Sequence, residues 1–148
     1  LTLQRAGDAV AAGRYGELSP LQEWELSACP LSTNDIAVDG SANQWLVFET
    51  EGRINQLQLG GGDVALPVAE PFIKTRQKNP DVAINAEGDR LIVWGEAISH
   101  TRGGRLNMQL FAVDGADKSA DFAEEITIPN FSFPSAAHLP NGDFLVLY

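Results

Sequence analysis

The sequence has 148 residues, of which 44% are hydrophobic and 20% are charged, and these proportions are typical of a folded globular chain. Twenty acidic residues against ten basic ones give a net charge of -10 at pH 7, which disfavours nucleic acid and anionic membranes as partners. No apolar run is long enough to cross a bilayer, so neither a membrane span nor a nucleic-acid partner is predicted.

The N-terminal segment, residues 1–34, has the least regular pattern in the chain. Residues 1–19 are compatible with a short helix around 9–12, with a loop or with a degraded strand pair, and residues 22–26 fit the outer part of an earlier repeat. The single cysteine, Cys29, has no partner for an internal disulfide. It is either a small buried apolar residue or half of a pair whose other member lies outside this chain.

Three copies of a strand-turn-strand unit follow. They begin at Asp35, Asp81 and Ser135 and have the sequences DIAVDGSANQWLVF, DVAINAEGDRLIVW and SAAHLPNGDFLVLY. Each copy has an alanine in its first strand, a polar turn, and an apolar second strand that ends in an aromatic residue. Such near-copies of one hairpin predict a repeat architecture in which every unit packs on its neighbours.

Further strand patterns follow the first two units at 53–59 and 105–112, with shorter ones near 64–69 and 125–128. Four antiparallel strands in a repeat of about 40 to 50 residues is the pattern of a propeller blade. The sequence therefore predicts an all-β propeller with four-stranded antiparallel blades. A β-sandwich is the competing all-β architecture, but it does not require copies of one hairpin.

The predicted organisation places the end of a preceding blade in residues 1–34, blades in 35–80 and 81–134, and the start of a third blade in 135–148. The ring is incomplete, with about two full blades and two partial ones, whereas closed propellers have about four to eight. An incomplete ring exposes strand edges and an apolar blade face. We therefore expect further blades from another polypeptide, from more of the same gene product or from a second copy of this chain.

Motifs between Trp24 and Tyr148 resemble the C-terminal half of bacterial sialidase-like (BNR-repeat) propeller proteins. In chain order they are WELSACPLS, FET, NPDVAIN, LIVWGE, the Gly103-Gly104 pair and FSF. The resemblance implies a periplasmic or extracellular propeller, and a cysteine-rich motif upstream that contains a pairing or ligating partner for Cys29. Most such proteins carry the sialidase label through their fold, and fold alone does not establish function.

The chain departs from true sialidases at the residues that carry catalysis. Their blade turns contain an Asp-box, S-x-D-x-G-x-x-W, and no such motif occurs here. A sialidase also uses a tyrosine nucleophile assisted by a glutamate, an aspartic acid, and an arginine cluster that binds the sugar carboxylate. The two tyrosines, Tyr15 and Tyr148, lie in the poorly patterned N-terminal stretch and in an apolar strand, so neither is placed like a nucleophile.

Loops that enter the first strand of a blade and loops that join its second and third strands emerge on the same face. We call this surface the loop face, and its segments are 28–34, 49–52, 72–80, 95–104 and 130–134. The basic residues on or beside it are Arg53, Lys74, Arg76, Lys78, Arg102 and Arg105, and His100 joins them. A basic, aromatic-rimmed surface suits a carboxylate, a sulfated sugar or an acidic partner loop. The alternative is that these cations pair with acidic residues such as Glu49 and Glu96.

Glu49 and Glu96 close the second strands of successive repeats, and we expect them to project from equivalent places. Two carboxylates about 5 to 10 Å apart can act as acid and base in glycoside hydrolysis. Repeat equivalence accounts for both residues without chemistry, so they are weak catalytic candidates. His100 and His138 show no metal-ligand spacing, and no metal or cofactor is predicted.

Three functions are compatible with this pattern. The leading hypothesis is a non-catalytic propeller module that binds a protein partner or a glycan within a larger extracytoplasmic assembly. The second is a glycoside hydrolase of sialidase-like fold whose remaining active-site residues lie outside this chain. The third is a structural subunit whose exposed blade edge docks into a multi-protein complex.

Overall fold

The computed structural model describes residues 2–6, 18–23, 33–61, 64–70, 75–119 and 125–148. Their regular structure is β throughout, as the sequence predicts. The strands are β1 (Thr2–Ala6), β2 (Leu18–Glu23), β3 (Asn34–Val38), β4 (Gln44–Thr50), β5 (Arg53–Leu59), β6 (Leu66–Pro67), β7 (Gln77–Ile84), β8 (Arg90–Glu96), β9 (Gly104–Phe111), β10 (Ile126–Ile128), β11 (Ser135–His138) and β12 (Phe144–Leu147).

Two four-stranded antiparallel sheets form the larger part of the described fold. The first contains β3, β4, β5 and β6 and the second contains β7, β8, β9 and β10, each paired in chain order. β11 and β12 form a separate hairpin, and β1 pairs with β2 across a register shift. The predicted four-stranded units are therefore confirmed, whereas the described residues do not form a closed ring.

The three predicted hairpins share one turn geometry. Each turn is closed by a backbone N–H that donates to the carbonyl four residues later: Asp39 to Asn43 at 3.0 Å, Asn85 to Asp89 at 3.0 Å and Leu139 to Asp143 at 2.7 Å. The fourth turn residue is left-handed in every copy: Ala42, Gly88 and Gly142 have φ of 64°, 85° and 90°. Gly88 and Gly142 adopt this conformation without the steric cost that a side chain brings. The three turns therefore share both the closing hydrogen bond and the left-handed residue.

The sheets pack through side chains that alternate between the two faces of each strand. Ile92 and Trp94 of β8 belong with Val47 of β4 to one buried cluster between the first and second sheets. Leu91 and Val93, their neighbours along β8, pack instead against the third hairpin. This middle strand is apolar on both faces, as expected of a strand buried between two layers.

The two junctions use the same positions of the repeat. Val47 faces the second sheet, and its counterpart Val93 faces the third hairpin. The first strands of the three units, β3, β7 and β11, also lie side by side in chain order. Each unit is therefore related to its successor in a similar way.

An aspartate carboxylate connects each first strand to the next one. Oδ2 of Asp35 accepts a hydrogen bond from the N–H of Val82 at 3.1 Å, and Oδ2 of Asp81 accepts one from the N–H of Ala136 at 2.6 Å. The two aspartates occupy one repeat position, and the two amides occupy the next. β7 and β11 are edge strands, so the carboxylates satisfy amides that have no ladder partner. Burial raises the pKa of Asp81, and the negative charge of Asp35 adds to the shift.

Replacing Asp81 with alanine removes this acceptor and leaves the amide of Ala136 without its hydrogen bond. We expect the free energy of unfolding, measured by urea denaturation, to fall by about 1–3 kcal/mol. Asp81→Asn keeps an acceptor oxygen without burying a charge, so it is expected to lose less. Asp114→Ala is the control, because this carboxylate accepts the N–H of Ala116 within one exposed turn. An equal loss in Asp81→Ala and Asp114→Ala would contradict a special role for the inter-strand bond.

Candidate functional site

A cleft lies where the second sheet meets the third hairpin. Three segments converge there: an irregular part of β7, the loop between β8 and β9, and the segment that precedes β11. The cleft has a volume of about 90 Å³, and the residues that line it include Lys78, Ile98, Ser99, His100, Phe131 and Phe133. All six belong to segments predicted for the loop face, so three of its five segments, 72–80, 95–104 and 130–134, lie together at the cleft.

The first wall is a bulge in β7. The strand pairs regularly with β8 up to Lys78 and again from Asp81, and the register shifts between them. Asn79, inside the bulge, has a left-handed backbone with φ of 55°. Its side-chain Nδ2 donates to the carbonyl oxygen of Ser132 at 3.3 Å. Bulges re-aim side chains next to functional sites, and this one both connects β7 to the segment before β11 and places Lys78 at the cleft.

The second wall is the loop between β8 and β9. The N–H of Ser99 donates to the carbonyl of Arg102 at 2.9 Å, and Nη2 of Arg102 donates to the carbonyl of Ala97 at 3.2 Å. At Gly104 a Cβ would lie 2.1 Å from the carbonyl oxygen of Glu96, so the return of the chain into β9 needs glycine. The loop is therefore held by its own hydrogen bonds and by a close backbone approach.

The third wall is a segment with two exposed aromatic rings. Phe131 is 61% exposed and Phe133 is 56% exposed, whereas Ser132 between them is buried. Phe131 has φ of 61°, a strained conformation that costs roughly 1–3 kcal/mol. Nδ2 of Asn130 donates to the carbonyl of His100 at 3.1 Å, which holds this segment to the opposite loop. Exposed aromatic side chains on strained backbone are typical of binding sites.

Lys78 and His100 are the two predicted binding residues that line the cleft. The other four make the following contacts: Arg53 with Glu70, Arg105 with Glu125 at 2.9 Å, Arg102 with the carbonyl of Ala97, and Arg76 through its own carbonyl, which accepts the N–H of Ala97 at 3.0 Å. Ion pairing, the alternative explanation for these cations, thus applies to Arg53 and Arg105, with Glu70 and Glu125 as partners. The predicted residues Cys29, Lys74, Tyr15 and Trp24 lie outside the described residues.

Glu49 and Glu96 do not occupy equivalent positions, so this expectation was wrong. Thr50 pairs with Arg53 and Glu96 pairs with Arg105, each at the last step before the connecting loop. Thr50 is therefore the counterpart of Glu96, and Glu49 stands one residue earlier in the repeat. Successive residues of a strand point to opposite faces, so Glu49 faces the second sheet and Glu96 faces the first.

Both carboxylates are buried and hydrogen-bonded within the protein. Glu49 accepts the N–H of Gly52, which closes the tight turn between β4 and β5. Glu96 accepts hydrogen bonds from Oγ1 of Thr75 and from Nδ2 of Asn107, the latter at 2.8 Å. Both carboxylates therefore stabilise the fold: Glu49 holds a turn, and Glu96 connects its strand to Thr75 and Asn107.

Arg90, the first residue of β8, is a buried cation that was not singled out from the sequence. Its guanidinium lies 3.5 Å from the ring centroid of Trp45 and 5.1 Å from that of Phe111. Nε and Nη2 both donate to Oε1 of Gln56, at 3.2 and 2.9 Å. Burial lowers the pKa of Arg90 to about 10, so the side chain stays charged at neutral pH. The burial of Arg90 could have been predicted from strand alternation, because residues 90 and 92 of a strand share a face and Ile92 is buried.

Comparison of the chain with protein-family models, with curated proteins and with solved structures gave no match. Among the described residues, none forms a helix with the length and apolar character needed to span a membrane. In the same part of the chain, no group of three or more His, Cys, Asp or Glu residues is arranged to hold a metal ion.

The Arg90 contacts predict a stability defect in Arg90→Lys, because lysine keeps the charge but loses the two-nitrogen contact and the flat stacking surface. We expect the free energy of unfolding to fall by about 1–3 kcal/mol, measured by urea denaturation. Arg102→Lys is the matched control, since Arg102 is exposed, and its expected change is within about 0.5 kcal/mol. Unchanged stability in Arg90→Lys would show that these contacts do not hold the sheets together.

Proposed function

We propose that this chain is a segment of a sialidase-like β-propeller and acts as a non-catalytic binding module in a periplasmic or extracellular assembly, with the loop face as its binding surface. The cleft lined by Lys78, His100, Phe131 and Phe133 carries this proposal. It combines exposed aromatic rings, a lysine, a histidine and an apolar floor on the face that propellers commonly use for ligands.

The propeller part of the proposal rests on the repetition of one junction. Asp35 binds the next first strand in the same way as Asp81 does, and Val47 and Val93 face their successors from the same repeat position. A constant relation between successive sheets, applied repeatedly, generates a ring of blades. A two-layer sandwich provides no reason for two successive junctions to share these contacts.

The third hairpin exposes the surface that its predecessors bury. Leu147 is 61% exposed, whereas its counterpart Val93 is fully buried at 0%. Leu145, also exposed, corresponds to the buried Leu91. β12 also has β11 as its single strand partner in the described fold, while β4 and β8 are each paired on both sides. We call this surface the forward face, and it is where a further blade would pack.

Binding is favoured over catalysis by the state of the two candidate carboxylates. A general acid or base must reach the proton it transfers. Glu49 and Glu96 are 6% and 3% exposed, and both already accept hydrogen bonds from neighbouring residues. The rings of Phe131 and Phe133, in contrast, are open to a ligand.

The exposed forward face predicts self-association of this chain in solution, because apolar patches of this kind pair when no other partner covers them. Analytical ultracentrifugation is expected to show concentration-dependent association that Leu147→Lys weakens. Val113→Lys is the matched control, since Val113 is 69% exposed in the turn after β9 and away from this face. A monomer at every concentration would contradict the unpartnered forward face.

A panel of fluorogenic glycosides, including sialosides, tests the absence of catalysis. The chain, and any assembly that completes the propeller, are expected to show no turnover above the uncatalysed rate. Glu51→Gln provides a matched control, because Glu51 is exposed in the turn next to Glu49. Turnover that Glu96→Gln or Glu49→Gln abolishes and Glu51→Gln preserves would establish the hydrolase function and overturn the binding module.

A further inference from the structure

We infer that the cleft on the loop face recognises an amphipathic anion, in the form of an acidic segment of a partner protein that carries an aromatic or other apolar side chain beside a carboxylate. This inference rests on the proposed binding function of that face and specifies the chemistry of its ligand.

The apolar part of the ligand is indicated by the floor and rim of the cleft. Ile98 forms a buried apolar floor, and the rings of Phe131 and Phe133 stand exposed at its edge. A ligand side chain inserted between them buries apolar surface on both sides, which is the main favourable term in such contacts. Large exposed aromatic residues are also those that dominate binding energies at protein interfaces.

The negative charge of the ligand is indicated by the ionisable residues of the cleft. Lys78 and His100 line it, and none of the described residues that line it is a carboxylate. Lys78 forms no ion pair with a described residue, whereas Arg53, Arg105 and Lys118 each pair with an acid. On a chain of net charge -10, a cleft whose described lining contains a lysine and no acid is a local reversal of sign that favours an anion.

A peptide fits this lining better than a sugar does. Sugar hydroxyl groups need several side-chain donors and acceptors, and the described part of the lining contains no carboxylate. The amide Nδ2 of Asn79 is already used in its bond to the carbonyl of Ser132. An apolar side chain flanked by a carboxylate needs an apolar floor and one cation, and Ile98 and Lys78 supply them.

Two fluorescent probes that differ in charge test the inference: anilinonaphthalene sulfonate, which is an aromatic anion, and the neutral phenylnaphthylamine. Titrations use the full chain carrying Leu147→Ser, so that the forward face contributes little binding. We expect the anion to bind more tightly than the neutral probe. Phe131→Ser should weaken both by about tenfold, as loss of an aromatic contact predicts. Lys78→Gln should weaken the anion alone, by about threefold or more.

The control variant is Val113→Ser, which removes an exposed apolar side chain far from the cleft and should change neither titration. Displacement of the bound anion is then measured with an acetylated, amidated Asp-Phe-Asp peptide, its Asn-Phe-Asn counterpart and sialyllactose. The acidic peptide is expected to displace the probe at a lower concentration than either competitor.

The outcomes separate the ligand chemistry from the function on which it rests. Titrations that neither Phe131→Ser nor Lys78→Gln changes would remove the loop face as a binding surface, and the proposed function with it. If both probes bind equally and Phe131→Ser weakens both, the loop face remains a binding surface, but the inferred preference for an anion is wrong. Displacement by sialyllactose alone would keep the surface and overturn the peptide.

Discussion

The arrangement of this protein depends on a hydrogen bond from an edge-strand amide to a carboxylate of the preceding repeat. Asp35 accepts the amide of Val82, and Asp81 accepts that of Ala136. An edge strand has unpaired amides on its outer side, and those that are shielded from water need an acceptor. Placing the acceptor at one repeat position sets the relation between neighbouring first strands, while the apolar second strands supply the burial between sheets.

The cleft is a consequence of this stacking, because its walls come from two successive units. Lys78 belongs to β7 of the second sheet, Ile98 belongs to the loop between β8 and β9, and Phe131 belongs to the segment that leads into the third hairpin. The contact between Asn79 and Ser132 crosses the same boundary. A different packing of the third hairpin on the second sheet would separate the rings of Phe131 and Phe133 from Lys78. The packing that holds the sheets together therefore also assembles the site.

Sequence reasoning succeeded for features encoded by neighbouring residues and failed where register or loop length decided the outcome. The polar turn that contains Gly88 and the apolar character of the second strand β8 are local, and both were predicted. Glu49 and Glu96 were treated as equivalent because both close an apolar strand, yet β4 continues one residue beyond Glu49 to Thr50, which is the counterpart of Glu96. Phe131 entered the sequence analysis through a family resemblance, although two phenylalanines around one serine already indicate a segment with a single aromatic face.

The sequence by itself determined the three hairpins, their turns and the apolar character of the second strands, since these depend on side-chain alternation and on turn residues a few positions apart. Tertiary structure alone decided which cations contact other residues of the protein and which line the cleft. Arg90 stacks on Trp45, Arg53 pairs with Glu70, and Lys78 lines the cleft. These contacts form between residues that are far apart in the sequence, and the spacing of residues along the chain does not give the distances between them in the fold.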